Sequence, residues 1–331
     1  MHAMQILLRF AGALLLLAAV SARSAAHDPI TTKVTFGREV RAILAARCVT
    51  CHSARGSAPM PLTTYDEVRP WARAIKEQVL ARRMPKWDAA RGFGAFANDP
   101  TPTPLESALI VSWVDGGLPR GADTSPVRAT SGFIRQSDQL VSIPAAGNAG
   151  STSAGAGWIS GWSFEPGDPL VSSATIGSSA GPIGTWVGGD APVVLPPGSA
   201  IQVGGRIRVE VRRRAAADFE SPFTPRASLL RLRIESGEPT EAVWIEQVAC
   251  GAARNRAGAL LAVRPILAAG ASARLWVQRP GAPAAIVGWF RDFDPGFARA
   301  YWLARPQDLP LDARLQSDAP CSLDLTLTAR R

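Results

Sequence analysis

Two cysteines and a histidine lie close together near the N-terminus, in the order Cys48-Val49-Thr50-Cys51-His52. At this spacing two thiols can bond covalently to the vinyl groups of a haem while the following imidazole ligates the iron. The motif therefore predicts one covalently attached haem c, with Cys48 and Cys51 as attachment residues and His52 as an axial iron ligand.

The same motif has three other interpretations: a thioredoxin-like redox pair, half of a zinc site, or coincidence in an exported chain. A thioredoxin motif follows a strand in a βαβ unit, whereas residues 36–47 place apolar side chains on one side of a helix that ends at this motif. A structural zinc site needs four ligands, but the other cysteines, Cys250 and Cys321, are far apart and have no neighbouring histidine. We therefore favour haem attachment.

The second axial ligand decides whether such a haem carries electrons or binds other ligands. A second histidine is almost excluded, because the chain contains only His2, His27 and His52. The remaining candidates are Met60 and Met84. We favour Met84, which follows a predicted helix and can reach the opposite haem face, whereas Met60 is close enough to His52 to pack against the ring edge. The alternative for Met84 is an ordinary core methionine at a helix end.

Predicted helices position these residues over 36–47, 64–83 and 104–115. Capping-box patterns begin at Thr64 and Thr103, and Pro70 is expected to kink the second helix. Three helices around a haem predict an all-α cytochrome c domain over 31–122. Trp87 follows Met84 closely, so we expect it near the haem as a shield for the iron or as contact surface.

The N-terminus has the pattern of a secretory signal peptide over 1–26. A weakly basic start and an apolar run precede small residues at a cleavage point after Ala26, and cleavage after Ala22 is the alternative. The apolar run is shorter than the roughly 20 residues of a membrane span. We expect an exported protein, periplasmic in a Gram-negative host, with no stable membrane span after cleavage.

The composition fits a folded chain of 331 residues with a formal net charge of +9. This length allows two or three domains. The basic residues are mostly arginines that recur along predicted strands, and no recognised nucleic-acid module accompanies them. We therefore expect no nucleic-acid partner.

Beyond residue 122 the helical periodicity ends, and short β-rich runs alternate with glycine and proline turns. This predicts an all-β, jelly-roll-like sandwich region of one or two units, over 123–236 and 237–331, the second being a separate unit or a continuation. A Gly/Ser/Ala stretch at 147–157 predicts a flexible loop. Cys250 and Cys321 predict a disulfide in an oxidising compartment, with two separate buried thiols as the alternative.

The haem region resembles the cytochrome c domain of a bacterial family in which that domain precedes β-sandwich modules related to copper type II, ascorbate-dependent monooxygenases. The resemblance is carried by the C-x-x-C-H motif and by residues 58–72, 82–87 and 113–119. It implies that Cys48 and Cys51 attach haem, that His52 is the proximal ligand and that Met84 is the distal one.

The β region resembles the monooxygenase-like modules more faintly, at 164–171, 184–187, 195–199 and 292–295. Where the copper enzymes carry a histidine pair, this chain has Ser172 and Ser173, and where they carry a His-x-His-like strand it has Val-Glu-Val-Arg at 209–212. An N-terminal His27, exposed by cleavage, lacks the second histidine that a copper site needs. We therefore expect no copper and no copper monooxygenase activity.

Our leading hypothesis is an exported mono-haem c-type cytochrome that transfers single electrons to an unidentified redox partner protein. The β-sandwich region then acts as a non-catalytic docking or structural module, and the protein is an electron carrier rather than an enzyme. One alternative is that the β domains bind a substrate, or retain an unrecognised oxidoreductase centre, that the haem supplies with electrons. Another is a haem sensor or peroxidase-like protein, which requires Met84 to leave the iron open.

Overall fold

The structure, a computed structural model, describes residues 32–123, 125–128, 139–153, 155–215 and 224–329. The predicted signal peptide at 1–26, its two candidate cleavage points and His27 lie outside these residues. No helix in the described ranges is long and apolar enough to cross a membrane.

Besides a short 3₁₀ turn at Pro295–Phe297, the helical segments of the described ranges occur in three places. They are α1 (Arg41–Arg47) after a π-helical turn (Phe36–Val40), α2 (Tyr65–Val68) joined by a 3₁₀ turn (Arg69–Trp71) to α3 (Ala72–Leu80), and α4 (Pro104–Asp115). The hydroxyls of Thr64 and Thr103 accept hydrogen bonds from the backbone N–H groups three residues later. Both predicted capping boxes are therefore confirmed, and they explain where α2 and α4 begin.

The described residues also form sixteen strands. They are β1 (Gln139–Ile143), β2 (Ala149–Ser153), β3 (Gly157–Glu165), β4 (Val171–Ser178), β5 (Gly181–Val187), β6 (Val193–Val194), β7 (Ser199–Val203), β8 (Arg206–Arg213), β9 (Ser228–Glu235), β10 (Glu241–Ala249), β11 (Gly258–Ile266), β12 (Ala273–Gln278), β13 (Ala285–Phe290), β14 (Tyr301–Leu309), β15 (Arg314–Ser317) and β16 (Ser322–Thr328).

These strands form three sheets. A nine-stranded sheet has the order β1-β9-β3-β7-β10-β16-β11-β14, with β6 beside β3. A four-stranded sheet has the order β2-β8-β4-β5, and a three-stranded sheet has the order β13-β12-β15. Parallel pairing of β7 with β10 joins the two halves of the nine-stranded sheet. The large sheet is thus continuous across the expected boundary at residues 236 and 237.

Two hydrophobic cores pack against the nine-stranded sheet. One contains apolar residues of β1 and β3 to β11 and lies under the four-stranded sheet. The other contains residues of β11 to β16 and lies under the three-stranded sheet. Adjacent residues of β14 belong to different cores, Tyr301 to the second and Trp302 to the first, so the cores lie on opposite faces of the large sheet. The predicted β-sandwich character is confirmed.

The expected fold class, with an all-α cytochrome c domain ahead of the sandwich, is wrong. The structure is mostly β, with 39% strand and 15% helix, and its helices are short. The chain between α3 and α4 runs along the β region, where Ala89 bridges to Phe290 and Phe96 to Leu303. Gly92 and Gly94 disfavour helix in this connection, and its apolar side chains join the second β core instead.

The stretch at 147–157 also differs from its prediction as a loop. Residues Ala149–Ser153 form β2 and pair with β8, with Ser151 opposite Arg208. Small residues have low strand propensity, but an available edge strand supplies the hydrogen-bonding partner that the isolated segment lacks. Tertiary pairing therefore determines the conformation of this segment.

Candidate functional site

The C-x-x-C-H motif lies immediately after α1. Buried Val40, Ile43 and Leu44 hold one face of this helical segment against the N-terminal apolar core. Cys48 is the C-cap residue of α1, and its carbonyl accepts hydrogen bonds from the N–H groups of Cys51 at 3.1 Å and His52 at 2.9 Å. This tight turn brings both cysteines and the histidine onto one short segment of backbone.

The side chain of His52 is oriented by a backbone carbonyl. Its Nδ1 lies 3.0 Å from the carbonyl oxygen of Met60. Burial lowers the pKa of His52, since an imidazolium loses hydration there, although the Met60 carbonyl partly opposes this shift. A neutral imidazole that donates from Nδ1 leaves the Nε2 lone pair available to a metal.

Both thiols of the motif are free and protonated at neutral pH. Burial raises the pKa of Cys48 to about 12, and burial also raises the pKa of Cys51. The thiols lie at the C-terminal end of α1, where the helix dipole disfavours a thiolate. Redox-active C-x-x-C pairs instead have a depressed thiol pKa. These surroundings disfavour thiol–disulfide exchange.

The β region contacts this motif directly. The loop after β5 passes so close to Cys51 that a Cβ atom on Gly189 would lie 2.5 Å from the Cys51 sulfur. A Cβ on Gly188 would lie 2.7 Å from the hydroxyl of buried Ser57. Arg55 also forms an ion pair of 2.6 Å with Glu165 at the end of β3. The C-x-x-C-H motif therefore lies at the junction of the helical segments and the β region.

A buried ion pair lies behind the same loop. Asp190 Oδ1 is 3.4 Å from Arg299 Nη1, and the two side chains are 11% and 4% exposed. The Arg299 guanidinium also donates to the carbonyl of Gly188 at 3.2 Å. Burial raises the pKa of Asp190, an effect that Arg299 opposes. Sequence reasoning missed both residues: Gly188-Gly189-Asp190 signals a turn, but nothing in the sequence pairs that turn with Cys51.

The other predicted haem residues lie at different places. Met84 follows α3, and its side chain is 48% exposed. Met60 approaches His52 through its carbonyl oxygen. Trp87 packs edge-on against Tyr301 at 4.7 Å between ring centroids and contacts the second β core. Trp87 therefore links the connection after α3 to the sandwich, with the Arg299 guanidinium 5.7 Å from its ring centroid.

The two segments compared above with the histidine segments of copper enzymes are neighbours in the four-stranded sheet. Ser173 of β4 lies opposite Arg212 of β8, and the hydroxyl of Ser172 donates to the Arg212 carbonyl at 3.2 Å. Within the described ranges, no group of three or more His, Cys, Asp or Glu residues is arranged to hold a metal ion.

The predicted disulfide between Cys250 and Cys321 is confirmed. The two Cα atoms are 5.4 Å apart, and the bond joins the end of β10 to the residue before β16. The backbone N–H of Cys250 also donates to the carbonyl of Cys321 at 3.0 Å. This bond ties the last strand to the body of the large sheet.

The residues present fit a covalently attached haem. Haem c requires two free thiols at this spacing and an imidazole with an available nitrogen. Cys48, Cys51 and His52 provide these groups on one turn, and Cys48 packs against the N-terminal apolar core.

No protein-family model matches the chain, and no curated protein is similar to it in sequence. Among solved structures, the chain is similar to the major capsid protein P2 of bacteriophage PM2, at 12% identity and a TM-score of 0.30. The match covers 58% of this chain and 97% of the capsid protein. A TM-score this low supports no inference about fold or function.

Proposed function

We propose that the protein is an exported carrier of single electrons with one haem c attached at Cys48 and Cys51. The observation that carries this proposal is the motif geometry: two free thiols beside an imidazole whose Nδ1 faces the Met60 carbonyl. The raised pKa of each thiol supports haem attachment over a thiol–disulfide function.

Each residue has a distinct role in this proposal. Cys48 and Cys51 would hold the haem through thioether bonds, and His52 would offer Nε2 to the iron. The Met60 carbonyl, 3.0 Å from Nδ1, orients the imidazole ring. Met84 would be the second iron ligand, by the resemblance to cytochrome c domains fused to monooxygenase-like modules. The bound haem supplies reversible one-electron chemistry, and methionine ligation raises its potential.

Export is part of the same proposal. The sequence at 1–26 has the pattern of a signal peptide, and the Cys250–Cys321 disulfide supports an oxidising compartment, such as the periplasm. The partner is an unidentified redox protein. We propose no copper function for the β region, because its sequence contains no histidine or methionine ligands.

A cavity in the β region favours one alternative function, the binding of a small substrate. It has a volume of about 260 Å³ and lies between β5 and the nine-stranded sheet. Trp162 and Trp302 form part of its apolar wall, and the ion pair of Arg264 with Asp324, at 2.7 Å, forms a polar end. An apolar cavity with a few polar groups is typical of small-molecule sites.

The test is an optical spectrum of protein produced with a cytochrome c maturation system. We expect a pyridine haemochrome spectrum of covalent haem, which Cys48→Ser combined with Cys51→Ser abolishes. A far-red charge-transfer band of His/Met ligation should disappear in Met84→Ala and remain in the matched control Met60→Ala.

Other outcomes separate the alternatives. Covalent haem without the far-red band would favour a sensor or peroxidase-like protein with an open iron site. Turnover of a substrate that is lost in Trp302→Ala would favour a haem-fed substrate site. Absence of covalent haem from the wild-type protein would refute the proposal.

A further inference from the structure

The loop that covers Cys51 places Asp190 in the protein interior, where it meets Arg299 from the segment before β14. Asp190 and Arg299 form an ion pair whose side chains are almost fully buried. Asp190 also accepts a hydrogen bond from the backbone N–H of Val187 through Oδ2 at 2.8 Å, while its Oδ1 has no hydrogen-bond partner among the described residues. The hydrogen bond from Val187 therefore anchors the pair to the β region, and Asp190 directly follows Gly189, which lies against the Cys51 sulfur.

Other charges face this pair from neighbouring elements. The positive charge of Arg264, on β11, acts to lower the pKa of Asp190, although Arg264 is itself paired with Asp324. The positive charge of Arg214, after β8, acts to lower the pKa of Cys51, and its guanidinium lies over the ring of Phe297. Asp88, after α3, contributes a further carboxylate near Tyr301 and Arg299. Within this group, Asp190 and Arg299 pair with each other, and each also acts electrostatically on the Cys51 thiol.

We propose that the Asp190–Arg299 pair sets the midpoint potential of the haem attached at Cys51, an inference that rests on the proposed function. Charges in a poorly solvated interior act over longer distances than surface charges, because little water screens them. While both charges are present, their effects on the iron largely cancel. Loss of one leaves the other uncompensated, so the β region is part of the redox site and not only a docking module.

The test measures midpoint potentials by equilibration with redox dyes. Asp190→Asn keeps an oxygen for the Val187 hydrogen bond but leaves the Arg299 charge uncompensated. We expect the ratio of reduced to oxidised protein at a fixed solution potential to rise about tenfold, which is about 59 mV for a one-electron couple. Arg299→Gln should shift the ratio in the opposite direction, and Arg299→Lys, which keeps the charge, should restore most of the wild-type value.

Matched controls use the exposed ion pair of Arg274 with Asp318, at 2.7 Å, in the three-stranded sheet. Asp318→Asn and Arg274→Gln should leave the potential unchanged. Each variant is first checked for covalent haem by the pyridine assay and for folding by far-UV circular dichroism. Because the two single variants at the buried pair have opposite expected signs, either one decides the question if the other does not fold.

Two failures are distinguishable. Wild-type protein that carries covalent haem, with potentials of Asp190→Asn and Arg299→Gln equal to the controls, overturns this inference alone. Wild-type protein without covalent haem overturns the proposed function and this inference together.

Discussion

The contact between Gly189 and Cys51 predicts a specific effect of adding one methyl group. In Gly189→Ala the new Cβ would lie 2.5 Å from the Cys51 sulfur, whereas favourable contacts between heavy atoms begin at about 3.5 Å. Either the loop that carries Gly189 or the turn that carries Cys51 must therefore move by about 1 Å. Overpacking of this kind costs about 1–3 kcal/mol. Gly189 also has φ of +93°, so alanine there adds about 1–2 kcal/mol of backbone strain.

Gly92→Ala is the matched control for this variant. Gly92 has φ of +83°, and a Cβ there would meet nothing within 4 Å, so it carries the backbone strain without the collision. We expect Gly189→Ala to lower the free energy of unfolding by about 1–3 kcal/mol more than Gly92→Ala does. Urea unfolding, followed by tryptophan fluorescence and circular dichroism, measures this difference.

A second measurement reports on Cys51 itself. In haem-free protein carrying Cys48→Ser, Cys51 is the remaining free thiol of the motif. Its alkylation should be slow because its pKa is raised and the half-buried side chain lies against the loop after β5. Gly189→Ala should accelerate alkylation, and Gly92→Ala should not. Equal destabilisation by both glycine substitutions, together with an unchanged alkylation rate, would refute the placement of Cys51 against the loop after β5.

Three further predictions concern stability. Replacing Cys250 and Cys321 together by alanine should lower the free energy of unfolding by about 4 kcal/mol in urea, because the loop between them is long; an unchanged midpoint would contradict this. Trp87→Ala should cost about 3–5 kcal/mol in the same assay, since Trp87 packs on Tyr301, whereas Trp71→Ala, at a side chain 45% exposed, should cost well under 1 kcal/mol. Burial acts to raise the pKa of Glu67, but hydrogen bonds from Thr63 and Thr64 outweigh it and hold the pKa below its ordinary 4.5. The ionised Glu67 therefore contributes fully to the free energy of unfolding above pH 4.5, and this stabilisation is lost as the pH falls through the lowered pKa. Unfolding curves of Glu67→Gln should therefore depend less on pH below 4.5 than wild type, and parallel curves would contradict the assignment.

Local features of the site could be predicted from the sequence because their physics is local. The helix before the motif follows from apolar residues at helical spacing, and the starts of α2 and α4 follow from the threonine–glutamate capping boxes. Cys48, Cys51 and His52 lie within five consecutive residues, so a single backbone turn brings their side chains together. The even cysteine pair likewise indicated the disulfide.

Fold class was predicted wrongly because it depends on contacts between distant segments. The connection after α3 contains Trp87 and Phe96, and both rings pack on Tyr301 in the second β core, a contact between distant segments that the sequence does not reveal. The conformation of β2 also depends on a distant segment, since its small residues form a strand by pairing with the edge of β8.

By itself, the sequence determined the chemical groups of the candidate site: two thiols, one imidazole and the turn that presents them. Tertiary structure alone decided their surroundings, since the β region places Gly189 against Cys51 and the Asp190–Arg299 ion pair close enough to act on it electrostatically. The physical reason is that side-chain identity and short-range backbone geometry are encoded within a few residues. Burial and electrostatic environment arise only when segments far apart in sequence pack together.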